Sequence, residues 1–287
     1  MPLTHTGELI THAAAARTAV PAFNVITLEH VEAVVEGAES AGTPVVLQVS
    51  ENAVGFRGGQ LLPLARAATA AAERAQVPVA LHLDHVRSDE LLHQAVDAGF
   101  SSVMYDASRL PFAENLAATR AAVDWAHAQG VWIEAELGEV GGKAGAPPLD
   151  AHAPGARTDP DEARAFVADS GVDALAVAIG SVHAMTTRTA TLDHTLLERI
   201  NAALDVPLVL HGSSGVPDGE LRAAVAGGIA KVNIGTALNV AMTSAVRDFL
   251  TADRDVVDPR KYLRAGREAM VETVIRLVGV LAAQPAP

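Results

Sequence analysis

The sequence predicts an α/β fold, a closed (β/α)8 TIM barrel with a C-terminal helical extension. Eight short apolar stretches typical of buried strands alternate along the chain with amphipathic stretches typical of helices. Polar residues follow most of these strands, as they do at the catalytic end of a barrel. The length of 287 residues is also near the roughly 250 of a typical barrel. We therefore predict a single domain over residues 1–287, with the extension over about 258–283.

The predicted elements follow one another at near-regular spacing. The strands are the apolar runs P-A-F-N-V (21–25), P-V-V-L-Q-V-S (44–50), V-A-L-H-L-D-H (79–85), S-S-V-M-Y-D (101–106), V-W-I-E-A-E-L-G (131–138), A-L-A-V-A-I-G (174–180), L-V-L-H-G (208–212) and K-V-N-I-G-T (231–236). The amphipathic helices are predicted at 7–17, 29–41, 61–75, 89–98, 112–128, 160–169, 192–203, 218–226 and 237–250. Parallel strands need such helical crossovers. An open, doubly wound sheet is the alternative, but it has no need of polar groups after so many strands.

Composition and charge exclude several classes of function. Hydrophobic residues make up 49% of the chain but aromatic residues only 3%, so the core must consist mainly of Ala, Val, Leu and Ile. A net charge of −13 argues against nucleic acid or an anionic membrane as a partner. Without cysteine there is no disulfide, thiolate ligand or cysteine nucleophile. We expect a cytoplasmic protein, since neither a signal pattern nor a membrane-spanning stretch is found.

Three histidines follow apolar runs at equivalent places. His85, His183 and His211 are each predicted near the C-terminal end of a strand. Neutral imidazoles that converge there make a metal site, and three protein ligands leave a position open for substrate. Asp84 directly precedes the first histidine, where its carboxylate could transfer a proton to or from a substrate oxygen. The alternative for Asp84 is to hold a ligand imidazole in place.

Two glycine-containing segments predict a phosphate site. H-G-S-S-G (211–215) and N-I-G-T (233–236) come at the ends of the seventh and eighth strands. Barrels commonly bind phosphate at these two positions, with backbone N–H groups and a helix N-terminus. Small residues allow the phosphate to approach the backbone closely. We therefore expect the ligand to be a phosphate ester.

The few lysines argue against imine chemistry. The chain contains only Lys143, Lys231 and Lys261. An enzyme that forms a Schiff base with its substrate needs a desolvated lysine near the active end of the barrel. Lys231 is predicted to open the eighth strand at the opposite end, and Lys143 lies in the irregular stretch 139–158. The electrophile is therefore predicted to be a metal ion.

A series of motifs along nearly the whole chain identifies a family. They are P-A-F-N, S-E-N-A, L-H-L-D-H, A-G-F-S-S-V-M, P-F-A-E-N, E-A-E-L-G-x-V-G-G, A-I-G-S-V-H, V-L-H-G-S-S-G, K-V-N-I-G-T and D-P-R-K-Y-L. In these the chain resembles the class II, metal-dependent ketose-bisphosphate aldolases, which include the fructose-1,6-bisphosphate and tagatose-1,6-bisphosphate enzymes. The resemblance implies a (β/α)8 barrel and a lyase that cleaves a ketose bisphosphate into dihydroxyacetone phosphate and an aldehyde. Fructose 1,6-bisphosphate is the expected substrate, with tagatose bisphosphate and 6-phospho-5-dehydro-2-deoxygluconate as alternatives.

The resemblance also implies two metal sites and an oligomer. His85, His183 and His211 would bind the catalytic Zn²⁺. Asp106 and Glu136 would be the ligands of a second divalent metal. A monovalent cation is expected near the phosphate, and the chain is expected to form a homodimer or homotetramer.

The same resemblance implies where substrate binds. Asp84 would donate and accept the proton at the aldehyde oxygen, and Ser50 would face the glyceraldehyde-3-phosphate half. The dihydroxyacetone-phosphate half would be held by Ala184, Gly212, Ser213, Ser214, Asn233, Ile234, Gly235 and Thr236.

The sequence departs from the family pattern at two places. Ala184 stands where the family usually has glycine, beside the second zinc histidine. No carboxylate lies between Gly142 and Asp150, where the family usually has an acidic cluster that supplies the base for enolisation. We expect Glu139 or Asp150 to supply this base, on a loop that closes over the site.

Two functions of other classes remain as alternatives. A metal-dependent barrel hydrolase would also use histidines and aspartates at strand ends. Such a hydrolase would more typically have an H-x-H pair on the first strand, which P-A-F-N-V lacks. A phosphosugar-binding barrel without catalysis is the second alternative, because the usual acidic cluster is missing.

Overall fold

The fold is a closed barrel of eight parallel strands that pair in sequence order, as predicted. It is seen in a computed structural model that describes residues 2–138, 140–141 and 156–282. The strands are β1 (Val20–Asn24), β2 (Val45–Ser50), β3 (Val79–Val86), β4 (Ser102–Tyr105), β5 (Trp132–Leu137), β6 (Ala174–Val177), β7 (Leu208–Leu210) and β8 (Ile229–Ile234). The first strand pairs with the eighth, which closes the sheet.

Helices alternate with the strands and cover the barrel. They are α1 (Thr6–Ala16), α2 (Leu28–Ala41), α3 (Glu51–Phe56), α4 (Leu62–Arg74), α5 (Asp89–His93), α6 (Ala95–Ala98), α7 (Phe112–Ala128), α8 (Pro160–Ser170), α9 (His194–Ala203), α10 (Asp218–Ala226), α11 (Thr236–Ala252) and α12 (Pro259–Ala282). No helix in these described ranges has both the length and the apolar character needed to cross a bilayer.

The structure corrects some predicted boundaries. The sixth strand ends at Val177, because Ala178 leaves the sheet and exchanges hydrogen bonds with Thr158 instead. Strand β8 begins at Ile229, so the prediction that Lys231 opens this strand is wrong and Lys231 lies inside it. The predicted helix 89–98 is two short helices, α5 and α6. The helix α3 was not predicted; it follows β2 directly, capped by the Ser50 hydroxyl.

Alternation along each strand separates two layers of side chains. Large apolar residues such as Phe23, Leu47 and Leu81 point outward and form the main core with the helices. Inside the barrel, small side chains of β1, β2, β3 and β8 pack together with Ile10 of α1. Helix α1 therefore closes the N-terminal end, which leaves the C-terminal end for a site.

The C-terminal extension is the helix α12, which was predicted at nearly these bounds. It packs along α2 and α11. Gly37 of α2 allows the close approach, because a Cβ atom there would lie only 2.6 Å from Cγ1 of Val274 on α12. Buried residues of α12 such as Met270 and Leu277 complete this contact.

Candidate active site

A cavity of about 310 Å³ lies at the C-terminal ends of the strands. This is the end of the barrel at which catalytic sites form. Residues from the ends of seven strands or the segments that follow them, all but β5, line the cavity, and most of them are polar. The predicted residues among them are Ser50, Asp84, His85, Asp106, His183, Ala184, His211, Gly212, Ser213, Ser214, Asn233, Gly235 and Thr236.

Three histidines converge in this cavity. His85 is the penultimate residue of β3, His211 directly follows β7, and His183 lies six residues beyond the end of β6. Each offers a ring nitrogen, and the three nitrogens lie within 4.8 Å of one another. Nε2 of His85 is 3.1 Å from Nδ1 of His211. Three imidazoles at this spacing fit a tetrahedral metal ion such as Zn²⁺ with one position left open.

An irregularity in β3 brings neighbouring residues to the same site. In a regular strand Asp84 and His85 would point to opposite faces. Here His85 has a left-handed backbone with φ of 53°, and the pairing of β3 with β4 shifts register between Leu83 and Val86. Such a bulge re-aims side chains. Both the carboxylate and the imidazole therefore face the cavity.

The segments after β6 and β7 pack tightly against each other. Gly212 has φ of 65°, and a Cβ atom there would lie 2.7 Å from the carbonyl carbon of Val182. The backbone N–H of His183 donates to the carbonyl of Gly141 at 2.7 Å. Only glycine fits at position 212. The contact between Gly212 and Val182 therefore fixes the positions of the adjacent His211 and His183 relative to each other.

Two of the histidines are hydrogen-bonded to a carboxylate through the ring nitrogen that faces away from the other histidines. Nδ1 of His85 is 2.8 Å from Oδ2 of Asp106, and Nε2 of His211 is 2.8 Å from Oε1 of Glu134. Such contacts fix the tautomer and the orientation of a ligand imidazole. They leave Nε2 of His85 and Nδ1 of His211 directed toward the point of convergence.

The two carboxylates predicted to bind a second metal lie close to the three histidines. Ligand atoms of His85, Asp106 and Glu136 also lie within 4.8 Å of one another. Glu136 is fully buried on β5 and does not line the cavity, and its Oε1 accepts a hydrogen bond from the Val140 N–H at 3.3 Å. The donor set therefore permits a second ion below the cavity surface.

Asp84 is buried and held by amide side chains. Its carboxylate accepts from Nδ2 of Asn24 at 2.8 Å and from Nδ2 of Asn233 at 3.4 Å. Burial raises the pKa of Asp84, but the electrostatic influence of His85, His211 and Lys231, together with the Asn24 hydrogen bond, outweighs burial and lowers the pKa below its ordinary value. The carboxylate is therefore ionised at neutral pH and able to accept a proton.

The segments after β7 and β8 meet at the start of α11. Ser213 donates its hydroxyl to the carbonyl of Asn233, and the Ser214 hydroxyl accepts from the N–H of Ala237 at 3.0 Å. Gly235 and Thr236 line the cavity at the N-terminus of this 17-residue helix, where free N–H groups attract anions. The side chain of Ile234, by contrast, is buried in the barrel wall and does not line the cavity.

Comparisons with known proteins show the family of this chain. The family model "Fructose-bisphosphate aldolase class-II" matches residues 4–284. The chain is 41% identical over 276 residues to a fructose-bisphosphate aldolase of Staphylococcus aureus, covering 96% of this chain and 95% of that protein. It is 42% identical to a probable fructose-bisphosphate aldolase of Bacillus subtilis, covering 96% of both. The chain belongs to the class II fructose-bisphosphate aldolase family.

Solved structures show the same fold in this family. The YdjI aldolase of Escherichia coli superposes with a TM-score of 0.84 at 34% identity, with 98% of both chains covered. A putative fructose-1,6-bisphosphate aldolase of Coccidioides immitis superposes with a TM-score of 0.86 at 31% identity, with 96% of both covered. As a class II aldolase the protein is a lyase, so the hydrolase hypothesis is wrong.

The two lysines that the structure describes lie away from the cavity. Lys231 is fully buried inside the barrel, with Nζ 2.8 Å from Oε2 of Glu134. Lys261 is exposed on α12. Lys143 lies outside the described residues, as do Glu139 and Asp150, the two acids predicted to supply the base. Among the described residues, then, no lysine lines the cavity.

The structure also brings together residues that sequence reasoning did not single out. Arg87 and Arg109 line the cavity after β3 and β4, and the Arg87 guanidinium is paired with Glu51 at 3.0 Å. Gln48 donates to Oδ1 of Asn24 at 3.3 Å, and so orients the amide that holds Asp84. Gln48 and Glu134 could have been found from the sequence, because the two-residue alternation of β2 and β5 places them on the inward faces of these strands.

Proposed function

We propose that this class II aldolase is Zn²⁺-dependent and reversibly cleaves a ketose bisphosphate, with fructose 1,6-bisphosphate as the preferred substrate. The products are dihydroxyacetone phosphate and glyceraldehyde 3-phosphate. The observation that carries the proposal is the convergence of three histidine nitrogens within 4.8 Å, beside a buried, ionised carboxylate. The family match supports the same chemistry.

His85, His183 and His211 would hold the zinc ion. Bound Zn²⁺ polarises a substrate carbonyl oxygen and stabilises the negative charge that develops there. Asp106 and Glu136 would hold a second divalent ion, and a monovalent cation would sit near the phosphate. The residues fit these roles because imidazole suits Zn²⁺ and carboxylate oxygens suit harder cations.

Asp84 is proposed to transfer the proton of the carbon–carbon cleavage. Its ionised carboxylate accepts the proton of the C4 hydroxyl as the bond between C3 and C4 breaks, and returns it in the condensation direction. Asn24 and Asn233 keep both carboxylate oxygens in place through their hydrogen bonds. The carboxylate is therefore oriented before substrate arrives.

The cavity offers binding groups for two anionic ends of a substrate. Ser213, Ser214 and the first residues of α11 provide hydroxyls and N–H groups for one phosphate, with Ala184 beside them. Ser50 also lines the cavity, together with Arg87 and Arg109. Guanidinium groups are well suited to bind phosphate, which supports a bisphosphate as substrate.

An assay with competing sugars tests this proposal. We expect zinc-loaded protein to cleave fructose 1,6-bisphosphate with a higher kcat/KM than tagatose 1,6-bisphosphate or 6-phospho-5-dehydro-2-deoxygluconate. A chelator should abolish cleavage and Zn²⁺ should restore it, while borohydride with substrate should leave the protein unmodified. A higher kcat/KM for either other sugar would reassign the substrate, and a covalent lysine adduct would refute the metal mechanism.

The homodimer or homotetramer also remains a proposal. Helix α11 has 17 residues, of which only Leu238 is buried, and its apolar Val240 and Leu250 are exposed. Exposed apolar side chains on a surface helix are typical of interfaces between subunits. We propose that this face contacts a second copy of the chain.

A further inference from the structure

A fully buried ion pair lies inside the barrel beneath the three histidines. Nζ of Lys231 on β8 is 2.8 Å from Oε2 of Glu134 on β5, and both side chains are 0% exposed. Burying two charges costs several kcal/mol per ion, which apolar side chains of similar size would avoid. A barrel interior is ordinarily filled with Val, Ile and Leu. The pair therefore calls for a role beyond filling space.

The neighbouring strands leave room for this pair to form. Strands β6 and β7 separate β5 from β8, and they turn only Ala174, Ala176 and Val209 toward the interior at this level. These side chains are short, so the lysine can extend across the barrel to the glutamate. The ion pair therefore depends on side chains of four strands, β5 to β8.

The two oxygens of Glu134 have different partners. Oε2 accepts from the Lys231 ammonium, while Oε1 is 2.8 Å from Nε2 of His211. His211 is itself fully buried, and its Nδ1 lies 3.1 Å from Nε2 of His85. A neutral imidazole carries one N–H, and the partner of that N–H decides which nitrogen is left as a ligand.

The lysine is in turn anchored from below. Nε2 of His82 lies 3.4 Å from Nζ of Lys231, and Nδ1 of His82 lies 2.7 Å from the Ser102 hydroxyl. Ser102 donates to the hydroxyl of Thr6 at 2.6 Å, at the start of the closing helix α1. Burial, and after it the charge of Lys231, hold the pKa of His82 well below its ordinary value, so this ring is a neutral acceptor. A continuous hydrogen-bonded chain thus runs from α1 to His211.

We propose that Glu134, anchored by Lys231, is a positioning residue that keeps the proton of His211 on Nε2 and directs Nδ1 to the metal. The inference rests on the proposed metal-dependent function. Lys231 occupies the second carboxylate oxygen and compensates its charge where water is excluded. The carboxylate is then fixed as an acceptor for His211.

Two double variants distinguish a role of Glu134 in positioning His211 from a role of the ion pair in packing alone. Glu134→Gln with Lys231→Met keeps a carbonyl oxygen for His211, whereas Glu134→Leu with Lys231→Met removes the acceptor. Both replace the ion pair by uncharged side chains of similar volume, a change that buried pairs often tolerate. We expect similar unfolding temperatures for the two metal-free variants.

Zinc affinity is the deciding measurement, made by competition with a chromophoric chelator. The Gln/Met variant should bind Zn²⁺ within a few-fold of the parent, and the Leu/Met variant about 10–100-fold more weakly. Parent-like affinity in the Leu/Met variant would overturn the proposal. Equal weakening in both variants, in step with lost stability, would show that the pair is only structural.

A spectroscopic readout on the parent protein covers the case in which a variant does not fold. In ¹⁵N-histidine NMR of the zinc-loaded parent, His211 should show a protonated Nε2 and a zinc-bound Nδ1. Zinc bound through Nε2 would refute the inference. Failure of the proposed function would show differently, as cleavage by the parent after the metal has been removed.

Discussion

At the scale of the residue, left-handed backbone conformations shape the site. His85 and Ala184 have φ of 53° and 59°, in a region that an L-residue enters at a cost of about 1–2 kcal/mol. Alternation along β3 placed Asp84 and His85 on opposite faces, and only the bulge brings them together. A bulge has no reliable signal in one sequence, so the structure supplies the backbone geometry by which these two predicted residues reach one site.

Ala184→Gly should leave the protein as stable or up to about 1 kcal/mol more stable. Glycine adopts a φ of 59° without the Cβ clash, although it loses more entropy on folding. Chemical denaturation of the metal-free protein measures the difference. Ala190→Gly, at a buried loop position without a left-handed backbone, is the control and should destabilise. Equal losses in both variants would contradict this account of Ala184. We also expect Ala184→Gly to alter substrate affinity.

At the scale of the element, the C-terminal helix is fixed to the barrel by shape and by charge. Gly37 allows α2 and α12 to pack closely. Asp218, the first residue of α10, pairs with Arg188 from the segment after β6 and with Arg276 of α12. The sequence predicted the helices on each side of these contacts, because the regular spacing of apolar residues in a helix is visible within a short stretch of sequence. It could not predict which helices touch, because that depends on the closed barrel.

Gly37→Ala should destabilise the protein by about 1–3 kcal/mol through overpacking against Val274, whose Cγ1 would lie 2.6 Å from the new Cβ. Gly279→Ala on α12 is the matched control. Nothing lies within 4 Å of a Cβ there, so this variant should gain about 0.5–1 kcal/mol from helix propensity. Urea unfolding of the two variants and the parent measures these changes in the free energy of unfolding. A neutral Gly37→Ala would mean that α12 is not docked this closely.

Asp218→Asn should reduce stability in a pH-dependent way. The hydrogen bond from Arg188 lowers the pKa of Asp218 below its ordinary value despite partial burial. A depressed folded-state pKa gives stability that is present above the unfolded-state pKa and is lost as pH falls through the folded-state pKa. The side chain is 34% exposed, so the effect at neutral pH should be at most about 1 kcal/mol. The difference between parent and variant, measured by urea unfolding at a series of pH values, should shrink in acid. A difference independent of pH would argue against the ion pair.

At the scale of the whole molecule, the barrel and the rim of the site could be predicted, but contacts across the interior could not. Eight aliphatic strands separated by helices specify the closed sheet, and parallel strands bring their C-terminal residues to one end. His85, His183 and His211 were found by this reasoning. The pairing of Glu134 with Lys231 depends on a distance across the barrel and on the short side chains between them. Neither is visible in the order of residues.

The most direct test of the central claim compares zinc content and fructose 1,6-bisphosphate cleavage in the parent, Asp84→Ala and His211→Ala. Asp84→Ala should retain the full zinc content and lose about 10²–10⁴-fold in kcat, because proton transfer is removed while the ligands stay. His211→Ala should lose both zinc and activity. Near-normal turnover in fully zinc-loaded Asp84→Ala, or cleavage by zinc-free His211→Ala, would contradict the account.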